Sequence, residues 1–276
     1  MKPLIIKSPC KVNLGLKILN QRKDGYHNIL SIFIELDLCD YLSFTPASEL
    51  SIQFNNTKIP KSNSVQDAVN IISKHCNIDI KYKIDIDKKI PIGGGLGGGS
   101  GNAAYTLIAL NKLYNLNLSN SILEKLANKI GSDTPFFIRG GIKKISERGN
   151  VIQDINHESI KNKFFLLVMP NFSISTKWAY SKVKKELYGQ KINPKFSPLD
   201  DKVDWTLFEN DFEHIVCLTY PEILNIKGML YKTGALYSGL SGSGSTVFGI
   251  YNDIIAAKEA AKNLNKYHTH ITSPTV

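Results

Sequence analysis

Polar and apolar residues alternate with period two over residues 11–19, 29–36, 41–44 and 50–54, a pattern that predicts strands with a buried face. Asp24-Gly25, between the first two, is hairpin-turn chemistry. The period then changes. Residues 64–76 bring Val65, Ala68, Val69, Ile72 and Cys76 onto one helical face, and residues 80–86 (IKYKIDI) alternate again as a strand. Residues 102–114 favour a helix through Ala103, Ala104, Leu107, Leu110 and Leu113, and Ser119 caps another that runs to Lys129 and closes at Gly131. Strands are expected at 141–146, 164–169 and 246–251, and helices at 175–187, 204–216, 222–232 and 253–265. A small-residue turn, SGLSGSGS, occupies 238–245, and 189–202, with Pro194 and Pro198, is expected to be an exposed loop. Strands in a group and then helices, twice over, predict an α+β chain in two halves, 1–155 and 156–276, and not a regular βαβ alternation.

Composition narrows the class. A chain of 276 residues with 42% hydrophobic and 21% charged residues can bury a core and is expected to be soluble and globular. Its longest apolar run, 164–170, falls far short of the roughly 18 residues of a membrane-spanning helix, and Lys7 and Lys11 interrupt any signal-peptide core. Four scattered cysteines without a C-x-x-C pair encode neither a zinc site nor a disulfide framework, so the expected location is the cytoplasm. The net charge is +10, yet of the 34 basic residues all but Arg22, Arg139 and Arg148 are Lys. Base readout favours Arg, so no nucleic-acid partner is expected; a basic surface suits a polyanionic small substrate.

The sharpest feature is PIGGGLGGGSGNAA, from Pro91 to Ala104. Six glycines in the seven residues 93–99 carry an entropic cost and imply backbone at positive φ or close against a ligand. Set between a strand and a helix, such a loop aims N–H groups and the positive helix end at one point, as an anion such as a triphosphate requires. Gly93-x-Gly95-x-x-Gly98 formally fits the dinucleotide fingerprint, but no acidic residue lies near 20 positions further on. Walker and protein-kinase signatures are missing from the sequence.

This loop resembles the ATP-binding motif of the GHMP kinases. Three further segments, SPCKVNLGLKILNQRKDGYHNI, GSDTPFFIRGG and SGLSGSGSTVFGIY, are similar to those of the superfamily's 4-diphosphocytidyl-2-C-methyl-D-erythritol kinases, in the same order and spacing. The resemblance implies a two-domain α+β fold, an N-terminal ribosomal-protein-S5-like domain and a C-terminal ferredoxin-like one, with the active site in the cleft between them. It implies ATP-dependent phosphorylation of the 2-hydroxyl of 4-diphosphocytidyl-2-C-methyl-D-erythritol, in the non-mevalonate route to isoprenoid precursors, by a monomer or homodimer.

Residue by residue, Asp133 matches the catalytic aspartate and Lys11 the catalytic lysine. By themselves Asp133 reads equally well as a helix cap before Pro135, and Lys11 as a solvent-facing residue on an edge strand. The ATP site implied is Asn63, Pro91, Gly93, Gly94, Gly95, Leu96, Gly97, Gly98, Gly99, Ser100 and Gly101. Substrate contacts implied are Asn13, Tyr26, His27, Thr176, Tyr180, Ser241 and Gly242, with Tyr26 and Tyr180 stacking on the cytosine. Asp24-Gly25-Tyr26-His27 alone reads as a hairpin turn, and the glycine turn at 241–244 as a hairpin connection. No protein ligand set is assigned to a metal; Mg2+ is expected on the ATP phosphates and Ser100. Gly101 departs from the family, which often has a second Ser there.

Overall fold

Alternation in the first quarter of the chain builds two long strands, β1 (Leu4–Gln21) and β2 (His27–Pro46), which pair with each other. The computed structural model describes residues 3–55, 63–183, 196–200 and 202–276. They divide into two compact units, one of Met1–Cys10, Leu38–Pro91 and Gly97–Gly140, the other of Lys11–Asp37, Ile92–Leu96 and Gly141–Val276. Each is α+β, as the grouping of elements predicts.

In the first unit the C-terminal part of β2 runs antiparallel to β4 (Tyr82–Asp87), with Leu42 opposite Ile86 and Phe44 opposite Ile84, and β4 runs parallel to β3 (Ser51–Asn55). Helix α1 (Ser64–Cys76) has the predicted bounds and buries Val65, Ala68, Val69 and Ile72. The Asn63 side chain caps it, accepting from Val65 N and Gln66 N, and Asn77 ends it in the left-handed region. Helix α1 packs on α2 (Gly98–Leu113), which also meets α3 (Asn120–Ala127) and α4 (Phe136–Arg139).

In the second unit residues 29–34 of β2 pair with β5 (Ile142–Glu147), and β5 with β6 (Val151–Asp154). A second antiparallel sheet has the order β10 (His268–Thr272), β7 (Phe164–Met169), β9 (Val247–Tyr251), β8 (Tyr237–Leu240). The apolar run of β7 is continuous because both faces are covered: Leu166 and Val168 join Phe212, Val216, Ile226 and Leu230 in one core, while Phe165 stacks on Phe248. That core is closed by α5 (Thr176–Lys182), α6 (Asp211–Thr219), α7 (Pro221–Lys232) and α8 (Ile254–Asn263). Residues 273–275 lie along β2: Asp37 N donates to Ser273 O (3.1 Å), Thr275 N to Glu35 O (3.1 Å), and Thr275 Oγ1 to the buried Glu35 carboxylate (2.7 Å).

The departures have local causes. Residues 29–36 and 41–44 belong to one strand, β2; Asp40 breaks the polar alternation because its carboxylate is turned inward to partners described below. The helix expected over 204–216 is a single 3-10 turn, Trp205–Leu207, followed by α6, since Asp204 and Asn210 each cap a separate element, accepting from Thr206 N and Phe212 N. Residues 238–240 belong to β8, which shortens the predicted turn, and α2 begins at Gly98, four residues early. Strands β6 and β10 carry no clear apolar period. Residues 184–187 of the helix expected at 175–187, and 189–195 and 201 of the expected loop, lie outside the described residues. Among the described residues no helix is long and apolar enough to cross a membrane.

Candidate functional site

Lys11 is not a surface lysine. It is 3% exposed in β1, and its amine donates to Asn13 Oδ1 (2.5 Å) and Gly95 O (3.0 Å) and lies 4.9 Å from the Phe33 ring centre. Its own N–H donates to Leu96 O (2.9 Å), which fixes the glycine loop to the strand. Asn13 Nδ2 donates to Ser31 Oγ (3.2 Å), and Ser31 Oγ to Gly15 O (2.6 Å), so the acceptor end of Asn13 is held toward Lys11. A lysine buried this way keeps one position and few rotamers, which suits an electrostatic role.

The small-residue turn meets the loop from the other side. Ser241 Oγ donates to Gly95 O (2.9 Å), and Thr246 N to Gly94 O (3.1 Å). Gly95 has φ +79°, and a Cβ there would come within 2.1 Å of Ser241 O, so both conformation and space demand glycine. A Cβ on Gly242 would lie 3.4 Å from Asn13 Oδ1 and 3.7 Å from Lys11 Nζ. Asn210, which sequence reasoning missed, holds the turn: its Nδ2 donates to Leu240 O and Gly242 O, both at 2.8 Å, while its Oδ1 caps α6. Its only sequence signal is an Asn preceding an acidic helix start.

Of the expected substrate contacts, His27 and Tyr180 stack with ring centres 4.9 Å apart and planes 19° apart. Burial lowers the His27 pKa, which favours a neutral imidazole able to donate and accept. Tyr26 is half exposed, Thr176 Oγ1 lies 3.1 Å from Ser243 Oγ, and Gly93, at the start of the loop, is exposed.

In the first unit Gly97, with φ +70°, forms the start of α2 with no side-chain cap, which leaves the first-turn amides for another acceptor. Ser64 Oγ donates to Gly99 O (2.7 Å), and so ties the exposed Gly99 to α1 next to Asn63. Asn63 spends its Oδ1 as the α1 cap. Asp40 is fully buried and was not expected here. It pairs with Lys88 and accepts from Lys89 N (2.7 Å), Ile90 N (2.8 Å) and Asn102 Nδ2 (3.0 Å), gripping the chain just before Pro91 and just after Gly101.

Gly101 is explained by packing: a Cβ would stand 3.0 Å from both Pro9 O and Ser8 Oγ. Asp133 is half-buried in the turn ahead of α4. The cap position of α4 is Pro135, two residues after Asp133, and it makes no side-chain cap bond. A Cβ on Gly131, at the start of that turn, would lie 4.0 Å from Ser100 Oγ, so the turn borders the half-buried Ser100. Among the described residues no group of three His, Cys, Asp or Glu is disposed to hold a metal.

Comparison with known proteins agrees in both sequence and fold. The GHMP kinases N terminal domain matches residues 63–141, and the GHMP kinases C terminal domain residues 206–270. The 4-diphosphocytidyl-2-C-methyl-D-erythritol kinase of Caldanaerobacter subterraneus subsp. tengcongensis is 38% identical over 259 residues, covering 91% of this chain and 89% of the relative. That of Thermodesulfovibrio yellowstonii is 38% identical over 282 residues, covering 99% and 98%. A crystal structure of 4-(cytidine 5'-diphospho)-2C-methyl-D-erythritol kinase superposes with a TM-score of 0.80 at 26% identity, covering 98% of this chain and 99% of that one. A homoserine kinase from Cytophaga hutchinsonii shares the fold, with a TM-score of 0.77 at 15% identity over 100% of this chain and 95% of its own. This chain belongs to the 4-diphosphocytidyl-2-C-methyl-D-erythritol kinase family of the GHMP kinases.

Proposed function

We propose that the chain transfers the γ-phosphoryl group of ATP to the 2-hydroxyl of 4-diphosphocytidyl-2-C-methyl-D-erythritol. The observation that carries this reading is the Gly95 carbonyl, which accepts both Lys11 Nζ and Ser241 Oγ and so draws three distant motifs to one atom. In such a transfer the acceptor oxygen bonds to the γ-phosphorus as the bond to the β–γ bridging oxygen breaks, and the protein positions groups and offsets charge. Lys11 would hold the transferring phosphoryl group, and Asp133 would orient the hydroxyl and take its proton. The uncapped first turn of α2 and the loop from Gly93 to Gly101 would bind the triphosphate, with Asn63 toward the adenine.

Tyr26, His27, Thr176 and Tyr180 would hold the cytidine end, with Asn13, Ser241 and Gly242 along the diphosphate and acceptor. Mg2+ carried on the nucleotide would be held by phosphate oxygens and the Ser100 hydroxyl, an oxygen donor of the kind this ion takes. The metal would supply charge neutralisation on the phosphates. In this reading residues 1–155 carry nucleotide binding and 156–276 complete the acceptor site, an arrangement compatible with the two matched family segments.

The test is phosphorus NMR with Mg-ATP and the cytidyl acceptor, with mevalonate and homoserine in parallel. A new phosphomonoester signal with the cytidyl acceptor alone is expected. A signal with another acceptor reassigns the substrate, and silence in every tube from folded, ATP-binding protein overturns the reading.

A further inference from the structure

The chain's scarcity of arginine makes the position of each one informative. Arg139 pairs with Glu124 on the surface of the first unit; the other two flank the turn at 24–28. Arg22 pairs with Asp24 (3.1 Å) and donates from Nη1 to Asn28 Oδ1 (3.0 Å). Arg148 lies over the Tyr26 ring, its guanidinium carbon 4.1 Å from the ring centre. Lysine satisfies most basic positions here, but an ammonium cannot lie flat on a ring as a guanidinium does.

Arg148 is delivered by an unusual turn. Four non-glycine residues have positive φ among the described residues; three are asparagines, which tolerate that region, and the fourth is Glu147 at φ 55°. With Gly149 at φ 110°, Glu147 bends the β5–β6 connection, and the pairing of Glu147 with Ile29 sets its tip beside the start of β2. Asp24, on the β1–β2 turn that carries Tyr26, also feels Arg148. Although desolvation raises its pKa, the bond from Tyr26 N, the bond and charge of Arg22 and the charge of Arg148 together hold it below the ordinary value. Tyr26 is 49% exposed even though the guanidinium lies over its ring.

We propose that Arg148 is a positioning residue for the pyrimidine base of the acceptor: its guanidinium backs one face of Tyr26 and holds the other ready to stack. This rests on the function proposed above. A ring already fixed gives up less freedom when a base stacks on it, so the benefit falls on acceptor affinity and on neither ATP nor the chemical step.

The test measures kcat and both KM values for Arg148→Ala, Arg148→Met and Arg148→Lys, with direct titration of CDP. Arg148→Ala is expected to raise the acceptor KM and the CDP dissociation constant about tenfold, with kcat and the ATP KM within about twofold. Arg148→Lys restores little, and in a Tyr26→Ala background the Arg148→Ala effect disappears. Arg148→Met keeps an apolar cover on the ring and serves if the alanine variant melts too low; an acceptor KM raised about threefold is expected. Unchanged acceptor KM and CDP affinity, an equal loss for ATP, or an undiminished effect without Tyr26 would overturn the proposal. Wild-type protein that neither binds CDP nor phosphorylates the acceptor overturns the function and this inference together; wild-type binding matched by the variants overturns only the inference.

Discussion

The glycine loop is held in two different ways at its two ends. At residues 93–96 it is fixed by hydrogen bonds to its carbonyls, from Lys11, Ser241 and Thr246, and glycine is enforced at Gly95 by close approach. At residues 97–101 it becomes the start of a helix, anchored beneath by the buried Asp40–Lys88 pair and Asn102. One end holds a buried lysine against the loop, and the other opens a helix that has no side-chain cap. In the phosphate-binding role proposed for it, the loop would use two kinds of rigidity: a fixed cation at one end, and a fixed helix start at the other.

Substitutions separate the two. The largest effect is expected from Lys11→Met and Asp133→Asn, each lowering kcat by about 10²–10³-fold or more, while in Asp133→Asn the thermal midpoint and nucleotide affinity change little. Near-normal turnover would remove the role assigned to that residue. Asp40→Ala strands Lys88 in a buried place and should cost about 3 kcal/mol of unfolding free energy, with a raised ATP KM; denaturant titration checks this. Gly95→Ala should cost about 2–3 kcal/mol by forcing a Cβ against Ser241 O, and should lower kcat through Lys11, a split that Asp40→Ala does not produce. Gly101→Ala, crowding Pro9 and Ser8 by a few tenths of an ångström, should cost about 1 kcal/mol, partly offset by helix propensity.

The smallest effect is in pH. Because burial holds the folded His27 pKa below its ordinary 6.5, the unfolded chain takes up the proton first. The corresponding stability is complete above about pH 6.5 and is lost as pH falls through the lower folded value. Thermal melts of His27→Gln should therefore lack part of the wild-type decline below that pH; identical profiles would show that the ring titrates normally.

Much of this was legible in the chain, for stated reasons. Helix α1 has its period, its Asn cap and its closing Asn in one stretch of sequence, and its bounds match the expectation. The loop and its glycines were legible because so costly a composition needs a cause. Asp40 and Asn210 were not, since the atoms they bind lie up to 62 and 32 residues away and no local spacing encodes such a contact. Strand β10 escaped because His268, Thr269 and His270 carry no apolar signal and pair with β7 only through the backbone. Asn210 also explains the false single helix over 204–216: a cap in mid-pattern ends one element and begins the next.

The residues at 273–275 that lie along β2 bear on how the protein is made. The hydroxyl of Thr275 meets a carboxylate 240 positions earlier, so during synthesis Glu35 leaves the ribosome long before Thr275 does. Until residues 273–275 emerge, Asp37 N and Glu35 O lack the backbone bonds that Ser273 and Thr275 give them, a state open to pairing with other chains. Expression at low temperature or with a holdase chaperone should raise the folded yield, and Thr275→Val, which removes the hydroxyl bond to Glu35, should lower it.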